Sequence, residues 1–296
     1  MAFLIAVDGG GTSCRAVIAD DGGRRLGEGL GGSANIASDL LAARDNIVEA
    51  VRLAIEAAGL SQERIGESAA VLGLAGANIA GNPARIAALL PFRIAHIETD
   101  ARIALEGALG ERDGAVAVVG TGSVFIARNG GRIRSVGGWG PVVGDFSGGA
   151  RLGRTLLEEV LRAYDKLRDG SELTRHVLAR HGGDPNALVE FAQAAKPRDF
   201  AGFAPMLFEY ADRGDPVALE VIADATRHLE DTLQALVCAD GLPFCLLGGL
   251  AASYATRLRA DLKTHERPPD GNALSGALAM AVSMFGKPQE SIHGHG

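Results

Sequence analysis

The feature that most constrains the fold is a loop rich in glycine and hydroxyl residues, which occurs twice and each time directly follows an apolar run. Residues 7–13 read VDGGGTS, and residues 118–123 read VVGTGS. Glycine allows positive φ and close backbone approach, so the amides of such a loop can point at an anion without interference from side chains. The repetition predicts two phosphate-binding loops, one in each half of the chain.

Each loop is followed by two short strand-like segments joined by a turn that contains Gly-Gly-Arg. In the first half the segments are 14–19 and 26–29, and in the second half they are 124–127 and 133–137. The turns contain Asp-Gly and Asn-Gly dipeptides, which are strong hairpin signals. Each half is therefore predicted to begin with a three-stranded antiparallel meander.

Helices and strands alternate after the first meander. Ser38 or Asp39 can cap a helix, and the continuous apolar run at 69–74 is typical of a parallel strand covered on both faces. A further strand at 93–97 leads to Asp100, which begins a helix at the carboxyl end of a strand. This order is the RNase H-like layout, and open α/β sheets bind their ligands at such strand ends.

The second half repeats this layout with an insertion of amphipathic helical segments at 151–240. The predicted fold class is α/β, with two RNase H-like domains and the helical insertion in the second. We expect an N-terminal domain at 1–112, completed by a final helix at 272–286. The C-terminal domain is expected at 113–271, and residues 287–296 are expected to form a tail.

Composition excludes several classes of protein. The net charge is −7 without a basic block, which gives no reason to expect a nucleic acid partner. The 3 cysteines lack paired spacing, so neither a disulfide framework nor a zinc site is expected. No apolar run approaches the roughly 20 residues of a membrane helix, and the apolar start runs directly into the glycine loop rather than resembling a signal peptide. The sequence predicts a soluble, cytoplasmic protein without membrane association.

In their order along the chain, these motifs resemble the actin-like sugar-kinase superfamily, and within it the amino-sugar kinases that act on N-acetylglucosamine or glucosamine. The matched segments are 8–12, Asp100, 120–123, 137–140, 144–145 and 248–249. The same broader family contains the benzoyl-CoA-reductase-activator-like ATPases. The resemblance implies two actin-like ATPase domains with an ATP and sugar cleft between them, and phosphorylation of the sugar 6-hydroxyl with ATP and Mg²⁺. The implied partners are an amino sugar and ATP, and a homodimer is left open as the assembly.

The resemblance also implies a role for each matched residue. Asp100 would be the catalytic residue, because a carboxylate within hydrogen-bond reach can accept the proton of a sugar hydroxyl. Asp8 would hold Mg²⁺ through water beside the phosphate oxygens. The implied ATP and phosphate contacts are Gly9, Gly10, Gly11, Thr12, Thr121, Gly122, Gly248 and Gly249. The implied sugar contacts are Asn35, Asp100, Gly138, Trp139 and Asp145.

Each of these residues also has a plain structural interpretation. Thr99 and Asp100 both suit a helix N-cap, and Asp8 suits a turn before glycine. Trp139 could be a hydrophobic anchor instead of a wall of the sugar site. Ordinary turn or loop chemistry would also explain Thr12, Thr121, Asn35, Asp145, Gly248 and Gly249.

The chain departs from the family pattern directly after Gly144-Asp145. Phe146 stands where the pattern has an acidic residue, and Ser147-Gly148 alters the order that follows. A carboxylate there could contact a charged or polar sugar substituent, whereas a phenylalanine would favour an acetyl methyl by an amount on the order of 1 to 3 kcal/mol.

Two other functions remain open from the sequence. An activator ATPase of a radical acyl-CoA dehydratase or reductase would carry cysteines placed to bridge a cluster, and a non-catalytic sugar or nucleotide sensor would bind without turnover. The cysteines Cys14, Cys238 and Cys245 are expected to be small core residues. The histidines His293 and His295 are expected to lie in the tail.

Overall fold

The computed structural model of the chain describes residues 3–237 and 241–286. The described residues fall into two compact units. Unit 1 contains those up to Arg112 together with those from Pro269 onward, and unit 2 contains those from Asp113 to Pro268. In the part of the chain that is described, no helix is long and apolar enough to cross a membrane.

The strands are grouped in two sheets, one in each unit. In chain order they are β1 (Leu4–Gly9), β2 (Cys14–Ala19), β3 (Arg25–Gly31), β4 (Ala69–Leu74), β5 (Ile94–Thr99), β6 (Gly114–Val119), β7 (Ser123–Asn129), β8 (Arg132–Gly137) and β9 (Phe244–Leu247). Both antiparallel meanders that the sequence predicts are present.

The helices lie between and after the strands. They are α1 (Leu40–Ala57), α2 (Asn82–Ala87), α3 (Asp100–Leu109), α4 (Gly149–Tyr164), α5 (Glu172–Arg180), α6 (Pro185–Ala194), α7 (Pro197–Ala201), α8 (Ala204–Asp212), α9 (Pro216–Val237), α10 (Ala251–Ala255), α11 (Ala260–Lys263) and α12 (Ala273–Phe285). A 3₁₀ helix occupies Gln62–Glu67.

The sheet of unit 1 has the strand order β3-β2-β1-β4-β5, in which β1 pairs antiparallel with β2 and parallel with β4. Successive residues of β1 point to opposite faces, as strand geometry requires. Ile5 and Val7 contribute to a core shared with α1, whereas Leu4 and Ala6 contribute to a core shared with α12. The sheet is therefore covered on both faces, which explains why the central strands read as continuous apolar runs.

α12 packs closely on α3 within unit 1 through two glycines. A Cβ added to Gly107 would overlap the carbonyl oxygen of Asn272, and one added to Gly276 would overlap the carbonyl oxygen of Ile103. The two helix backbones can approach this closely only because neither glycine carries a side chain.

The sheet of unit 2 repeats the first four positions of this order as β8-β7-β6-β9. The position of the fifth strand is occupied by a single parallel bridge between Phe244 and Glu266. The backbone amides of Phe244 and Arg267 complete this bridge at 3.0 and 2.8 Å from the carbonyl oxygens of His265 and Phe244. Unit 2 thus keeps the topology of unit 1 with its last strand reduced to one residue pair.

The insertion predicted between the strands of the second half consists of helices joined by short turns in its described part. α4 to α9 lie between β8 and β9, and α9 packs on both α4 and the strands β6 and β7. The core of unit 2 combines side chains of the sheet with those of these helices. Residues 238–240, which include Cys238, and residues 287–296, which include the predicted tail, lie outside the described residues.

Candidate active site

The carboxyl ends of three parallel strands bring the predicted residues of unit 1 to one edge of its sheet. Gly9 is in register with Leu74, and Leu74 is in register with Thr99. Because neighbouring strands are about 4.8 Å apart, the backbones of Gly9 and Thr99 are separated by about 10 Å. The glycine loop and Asp100, which follows Thr99 directly, therefore lie at the same end of the sheet.

Backbone hydrogen bonds join three loops at this edge. The amide of Ala34 donates to the carbonyl of Gly10 at 3.0 Å, and the amide of Ile36 donates to Ala75 at 3.0 Å. The amide of Ala75 donates in turn to Gly9 at 2.8 Å. Asn35 is held between two of these anchors, and its side-chain oxygen accepts from the amide of Ala37 at 2.9 Å. The loop-capping interpretation of Asn35 is therefore present in the structure.

The three glycines of the first loop do not use left-handed backbone conformations. Gly9 is required by packing, because a Cβ there would lie 2.6 Å from the Cδ2 atom of Leu74 and 2.8 Å from the Cβ atom of Ala34. A Cβ on Gly11 would meet nothing within 4 Å. The loop therefore uses the close backbone approach that glycine allows and not positive φ, and its open outer face leaves room for an anion.

Asp8 is paired with an arginine that the sequence analysis did not single out. Asp8 on β1 stands opposite Arg15 on β2, and the Nη2 atom of Arg15 donates to the Oδ2 atom of Asp8 at 2.7 Å. The Asp8 side chain keeps 18% of its surface exposed. The register of the hairpin is the signal that could have identified Arg15, since residues paired across a short loop face each other.

The carboxylate of Asp8 is a type of ligand that fits Mg²⁺ beside bound phosphates. Mg²⁺ commonly takes one or two carboxylates and completes its shell with phosphate oxygens and waters. Asp8 supplies one such carboxylate beside the open face of the glycine loop. Among residues 3–237 and 241–286, no group of three or more His, Cys, Asp or Glu side chains is placed to enclose an ion.

Thr99, rather than Asp100, caps α3. The Oγ1 atom of Thr99 accepts from the amide of Arg102 at 3.1 Å. Asp100 is the first residue of the helix, and its Oδ1 atom accepts from the amide of Ala101 at 2.9 Å. A helix N-terminus favours a negative charge, so this position suits an ionised carboxylate that acts as a hydrogen-bond acceptor.

Cys14 lies directly behind the glycine loop but is not a reactive thiol. Its side chain is fully buried, and burial, reinforced by the charge of Asp8, raises the pKa of Cys14 to about 12. Cys245 is fully buried in unit 2. The expectation that these two cysteines are core residues is confirmed.

In unit 2, the second glycine loop is fixed to the start of α4. The amides of Gly149 and Ala150 donate to the carbonyls of Gly120 and Thr121 at 2.8 and 2.9 Å. A Cβ on Gly148 would lie 2.6 Å from the carbonyl carbon of Gly122, so the two segments touch through their backbones. A Cβ on Gly120 would meet nothing within 4 Å, which again leaves one face of the loop open.

Asp145 is mostly buried and organises its own loop. It is 8% exposed and has a left-handed backbone with φ of 53°, which aspartate tolerates better than most residues. Its Oδ1 atom accepts from the amide of Gly140 at 3.2 Å, and its carboxylate occupies the space that a side chain at Gly122 would need. Burial raises the pKa of the Asp145 carboxyl, and hydrogen bonds from the amides of Gly140 and Ser123 partly offset that effect.

Trp139 is not a hydrophobic anchor, because 72% of its surface is exposed. That alternative was wrong. Val142 and Val143 in the same loop are also exposed, and Gly138 beside Trp139 has a positive φ of 69°. The loop therefore presents an apolar surface to solvent.

Phe146 packs on the helices of unit 2. Its ring stacks on that of His228 with centroids 4.8 Å apart, and the guanidinium carbon of Arg151 lies 5.9 Å from its centroid. These three residues line a cavity of about 170 Å³ between α4 and α9.

The glycine pair after β9 is attached to the second glycine loop. Gly248 has a positive φ of 96°, and a side chain there would overlap the carbonyl oxygen of Val119. The amide of Leu250 donates to that same carbonyl at 3.1 Å. A Cβ on Gly249 would meet nothing within 4 Å. The turn at 248–250 and the loop at 120–122 therefore share one anchor at the end of β6.

Two further residues near this anchor carry no sequence signal. The Tyr254 hydroxyl donates to the carbonyl of Ser147 at 2.8 Å, and the Ser147 hydroxyl donates to the carbonyl of Ala225 at 3.0 Å. Both contacts join residues that are far apart along the chain, so only the folded structure identifies them.

Comparison with known proteins places these features in a family. A family model of the BadF/BadG/BcrA/BcrD ATPases matches residues 5–267. The chain is 34% identical to the glucosamine kinase of Vibrio cholerae over 298 residues, which covers 100% of both proteins. It is 29% identical to the N-acetyl-D-glucosamine kinase of Dictyostelium discoideum over 260 residues, which covers 81% of each.

A solved structure extends the similarity to three dimensions. The candidate N-acetylglucosamine kinase of Chromobacterium violaceum has a TM-score of 0.89 at 31% identity, with 95% of this chain and 99% of that chain covered. The resemblance inferred from the motifs and the predicted α/β fold class are confirmed. This chain belongs to the BadF/BadG/BcrA/BcrD ATPase family.

Proposed function

We propose that this protein transfers the γ-phosphate of ATP, with Mg²⁺, to the 6-hydroxyl of glucosamine or N-acetylglucosamine. The observation that carries the proposal is the position of Asp100. It lies at the same sheet edge as the first glycine loop, while Thr99 performs the capping that would otherwise account for an acidic residue there. The relatives named as glucosamine and N-acetylglucosamine kinases support the choice of sugar.

In unit 1, we assign phosphate and metal binding to the first loop. The backbone of Gly9, Gly10 and Gly11 and the hydroxyl of Thr12 would donate to phosphate oxygens. Asp8, oriented by Arg15, would hold Mg²⁺, which supplies charge neutralisation between the phosphate oxygens during transfer. The open face of Gly11 supports this assignment, because a side chain there would stand where the anion approaches.

Asp100 would accept the proton of the attacking sugar hydroxyl. Phosphoryl transfer depends mainly on positioning and charge stabilisation, so the residue must orient the hydroxyl as well as take its proton. Its place in the first turn of α3 and the hydrogen bond from the amide of Ala101 hold the carboxylate in position. Asn35, on the neighbouring loop, would donate its side-chain amide to another sugar hydroxyl.

In unit 2, we assign the hydroxyl of Thr121 and the backbone of Gly122 to phosphate. The backbone of Gly248 and Gly249 is assigned to the adenosine part of ATP. Asp145, Gly138 and Trp139 would contact the sugar. The exposed ring of Trp139 supports this role, since sugars present apolar C–H faces that an aromatic ring can cover. Besides this contact, the Asp145 carboxylate would hold the loop in its conformation, because it is largely buried and accepts a hydrogen bond from the amide of Gly140.

The activator-ATPase alternative has less support. It needs cysteines that can hold a cluster, whereas Cys14 and Cys245 are fully buried in different units. A non-catalytic sensor is disfavoured by the presence of both Asp8 and Asp100.

The test is ADP release from ATP and Mg²⁺ with glucosamine, N-acetylglucosamine, glucose, mannosamine or no sugar. The proposal predicts turnover that requires glucosamine or N-acetylglucosamine. Hydrolysis at the same rate without sugar would favour an ATPase that acts on a partner protein, and nucleotide binding without turnover would favour a sensor.

A further inference from the structure

A buried hydrogen bond within unit 2 connects two segments. One is the nucleotide turn, by which we mean residues 248–250, and the other is the loop that bears Asp145. The 138–148 loop runs from the end of β8 to α4, and the turn at 248–250 leads into α10. Tyr254 lies on α10, is fully buried, and donates its hydroxyl to the carbonyl of Ser147 at 2.8 Å. Ser147 is itself almost completely buried and is two residues from Asp145.

Both partners of this bond are held rigidly. The Tyr254 ring packs edge-on against Phe208 of α8, with centroids 5.3 Å apart and an interplanar angle of 86°. The hydroxyl of Ser147 donates to the carbonyl of Ala225 on α9 at 3.0 Å. A displacement of α10 would therefore act on the backbone of Ser147 through this bond.

The start of α10 cannot move independently of the nucleotide turn. Leu250 is the residue directly before the helix, and its amide is bonded to Val119 at the end of β6. Tyr254 follows Leu250 by one helical turn, and its amide donates to the carbonyl of Leu250 at 3.1 Å. Any ligand that contacts Gly248 or Gly249 thus acts on the element that carries Tyr254.

We propose that Tyr254 is a positioning residue that couples nucleotide binding at 248–250 to the conformation of the 138–148 loop, and so to sugar affinity. This inference rests on the proposed function for the identity of the two ligands. Asp145 holds a left-handed backbone, and the bond from Tyr254 to Ser147 supports its loop in this conformation. Nucleotide binding would order the loop through Tyr254 and Ser147, and by thermodynamic reciprocity the sugar would raise nucleotide affinity by the same factor.

The experiment compares wild type with Tyr254→Phe and with Tyr210→Phe as a matched control. Tyr210 is also buried in unit 2, and its hydroxyl bonds to the Nδ1 atom of His176 at 2.8 Å, away from both loops. Each variant removes one buried hydroxyl and keeps the ring. Hydrogen exchange of peptides covering 138–148 is measured with and without a non-hydrolysable ATP analogue and Mg²⁺.

In wild type and Tyr210→Phe, the analogue is expected to slow exchange in the 138–148 loop by about fivefold, the lower end of typical coupling between sites. In Tyr254→Phe this protection should be clearly reduced, while the analogue still protects 248–250; the part that remains would come from the direct backbone contact between Gly122 and Gly148. The dissociation constant of the sugar should fall about fivefold on addition of the analogue in the first two proteins and by clearly less in Tyr254→Phe.

Unaltered protection in Tyr254→Phe, an equal loss in Tyr210→Phe, or no protection of the loop in wild type would each overturn the inference. Failure of the proposed function is a separate result. It would appear as absence of sugar-dependent ADP release in wild type, whatever the exchange pattern.

Discussion

Thr99 and Asp100 have different tasks at the first turn of α3. The threonine hydroxyl satisfies an amide that the helix leaves without a partner, and the aspartate occupies the position where the helix terminus favours negative charge. The stability of α3 and the chemistry of the site therefore depend on adjacent but separable side chains.

We predict that Asp100→Asn lowers kcat for sugar phosphorylation by about 10²- to 10⁴-fold, because the amide cannot accept the proton of the sugar hydroxyl. Steady-state kinetics measure the loss. Thr99→Ala is the control, and it should reduce the free energy of unfolding by about 1 kcal/mol through loss of the cap. If kcat falls by a comparable factor in the two variants, Asp100 acts by stabilising the first turn of α3 and not by accepting the proton.

At Asp8, the proposed metal-binding role predicts a metal-dependent defect. Asp8→Asn is expected to raise the Mg²⁺ concentration needed for half-maximal rate by roughly tenfold, because the negative charge that would hold the hydrated ion is lost. A Mg²⁺ titration at saturating ATP measures this shift. Asp45→Asn, which alters an exposed carboxylate on α1, should leave the Mg²⁺ requirement unchanged. An unchanged requirement in Asp8→Asn would remove Asp8 from the metal site.

At the scale of helices and strands, one contact in each unit joins a pair of helices. In unit 1, α12 lies on α3 through Gly107 and Gly276. In unit 2, the buried carboxylate of Asp215 joins α5 to α9. Its Oδ2 atom accepts from the amide of Leu173 at 2.9 Å, and its Oδ1 atom accepts from the amides of Val217 and Ala218 at 3.0 and 3.1 Å.

Gly276→Ala should lower the free energy of unfolding by about 1 to 3 kcal/mol, since the added methyl overlaps the backbone of α3 and forces the helices apart. Urea denaturation measures the effect. Gly66→Ala adds the same methyl where it meets nothing within 4 Å, and stability there should be nearly unchanged. If both variants unfold at the same urea concentration, the close approach of α12 and α3 is not a constraint on stability.

Asp215 gives a pH-dependent prediction. Burial alone would raise the pKa of its carboxyl, but hydrogen bonds from Leu173, Ala218, Ser171 and Val217 outweigh this effect and lower the pKa. A carboxyl whose pKa is lowered by folding stabilises the protein above its unfolded pKa of about 3.9, and this stabilisation is lost as the pH falls through the native pKa.

Asp215→Asn should therefore be less stable than wild type by about 1 to 3 kcal/mol at pH 7, because an amide cannot accept all three backbone hydrogen bonds. The difference should shrink as the pH falls below the unfolded pKa of about 3.9 and towards the lowered native pKa, where the wild-type carboxyl becomes protonated. Urea midpoints at pH 7 and at acid pH measure it, with the exposed Asp224→Asn as control. A difference that is independent of pH would contradict the role of the ionised carboxylate.

On the scale of the whole molecule, local sequence patterns predicted the strands and helices better than they predicted contacts between residues that are distant in sequence. The strands at 14–19 and 69–74 have the predicted bounds because each is a largely apolar run flanked by turn residues. The reduced fifth strand of unit 2 carries no such run, since it consists of one bridge at Glu266.

Residues of the candidate site divide in the same way. Asp8 and Asp100 could be predicted because strand ends and glycine loops mark their positions. Arg15 could have been identified from the register of the predicted hairpin, whereas the bond from Tyr254 to Ser147 joins residues 107 positions apart and does not follow from local sequence. The exposure of Trp139 also depends on the tertiary structure, so the sequence alone could not exclude that Trp139 is a hydrophobic anchor.

The central claim is that the phosphate of ATP reaches the 6-hydroxyl of an amino sugar, and proton-coupled ³¹P NMR of the reaction mixture tests it directly. Incubation of the protein with ATP, Mg²⁺ and glucosamine or N-acetylglucosamine should give a new phosphomonoester signal split into a triplet by the two protons on carbon 6. A doublet would place the phosphate on the oxygen of a ring carbon, which carries a single proton. The appearance of inorganic phosphate alone would contradict sugar phosphorylation.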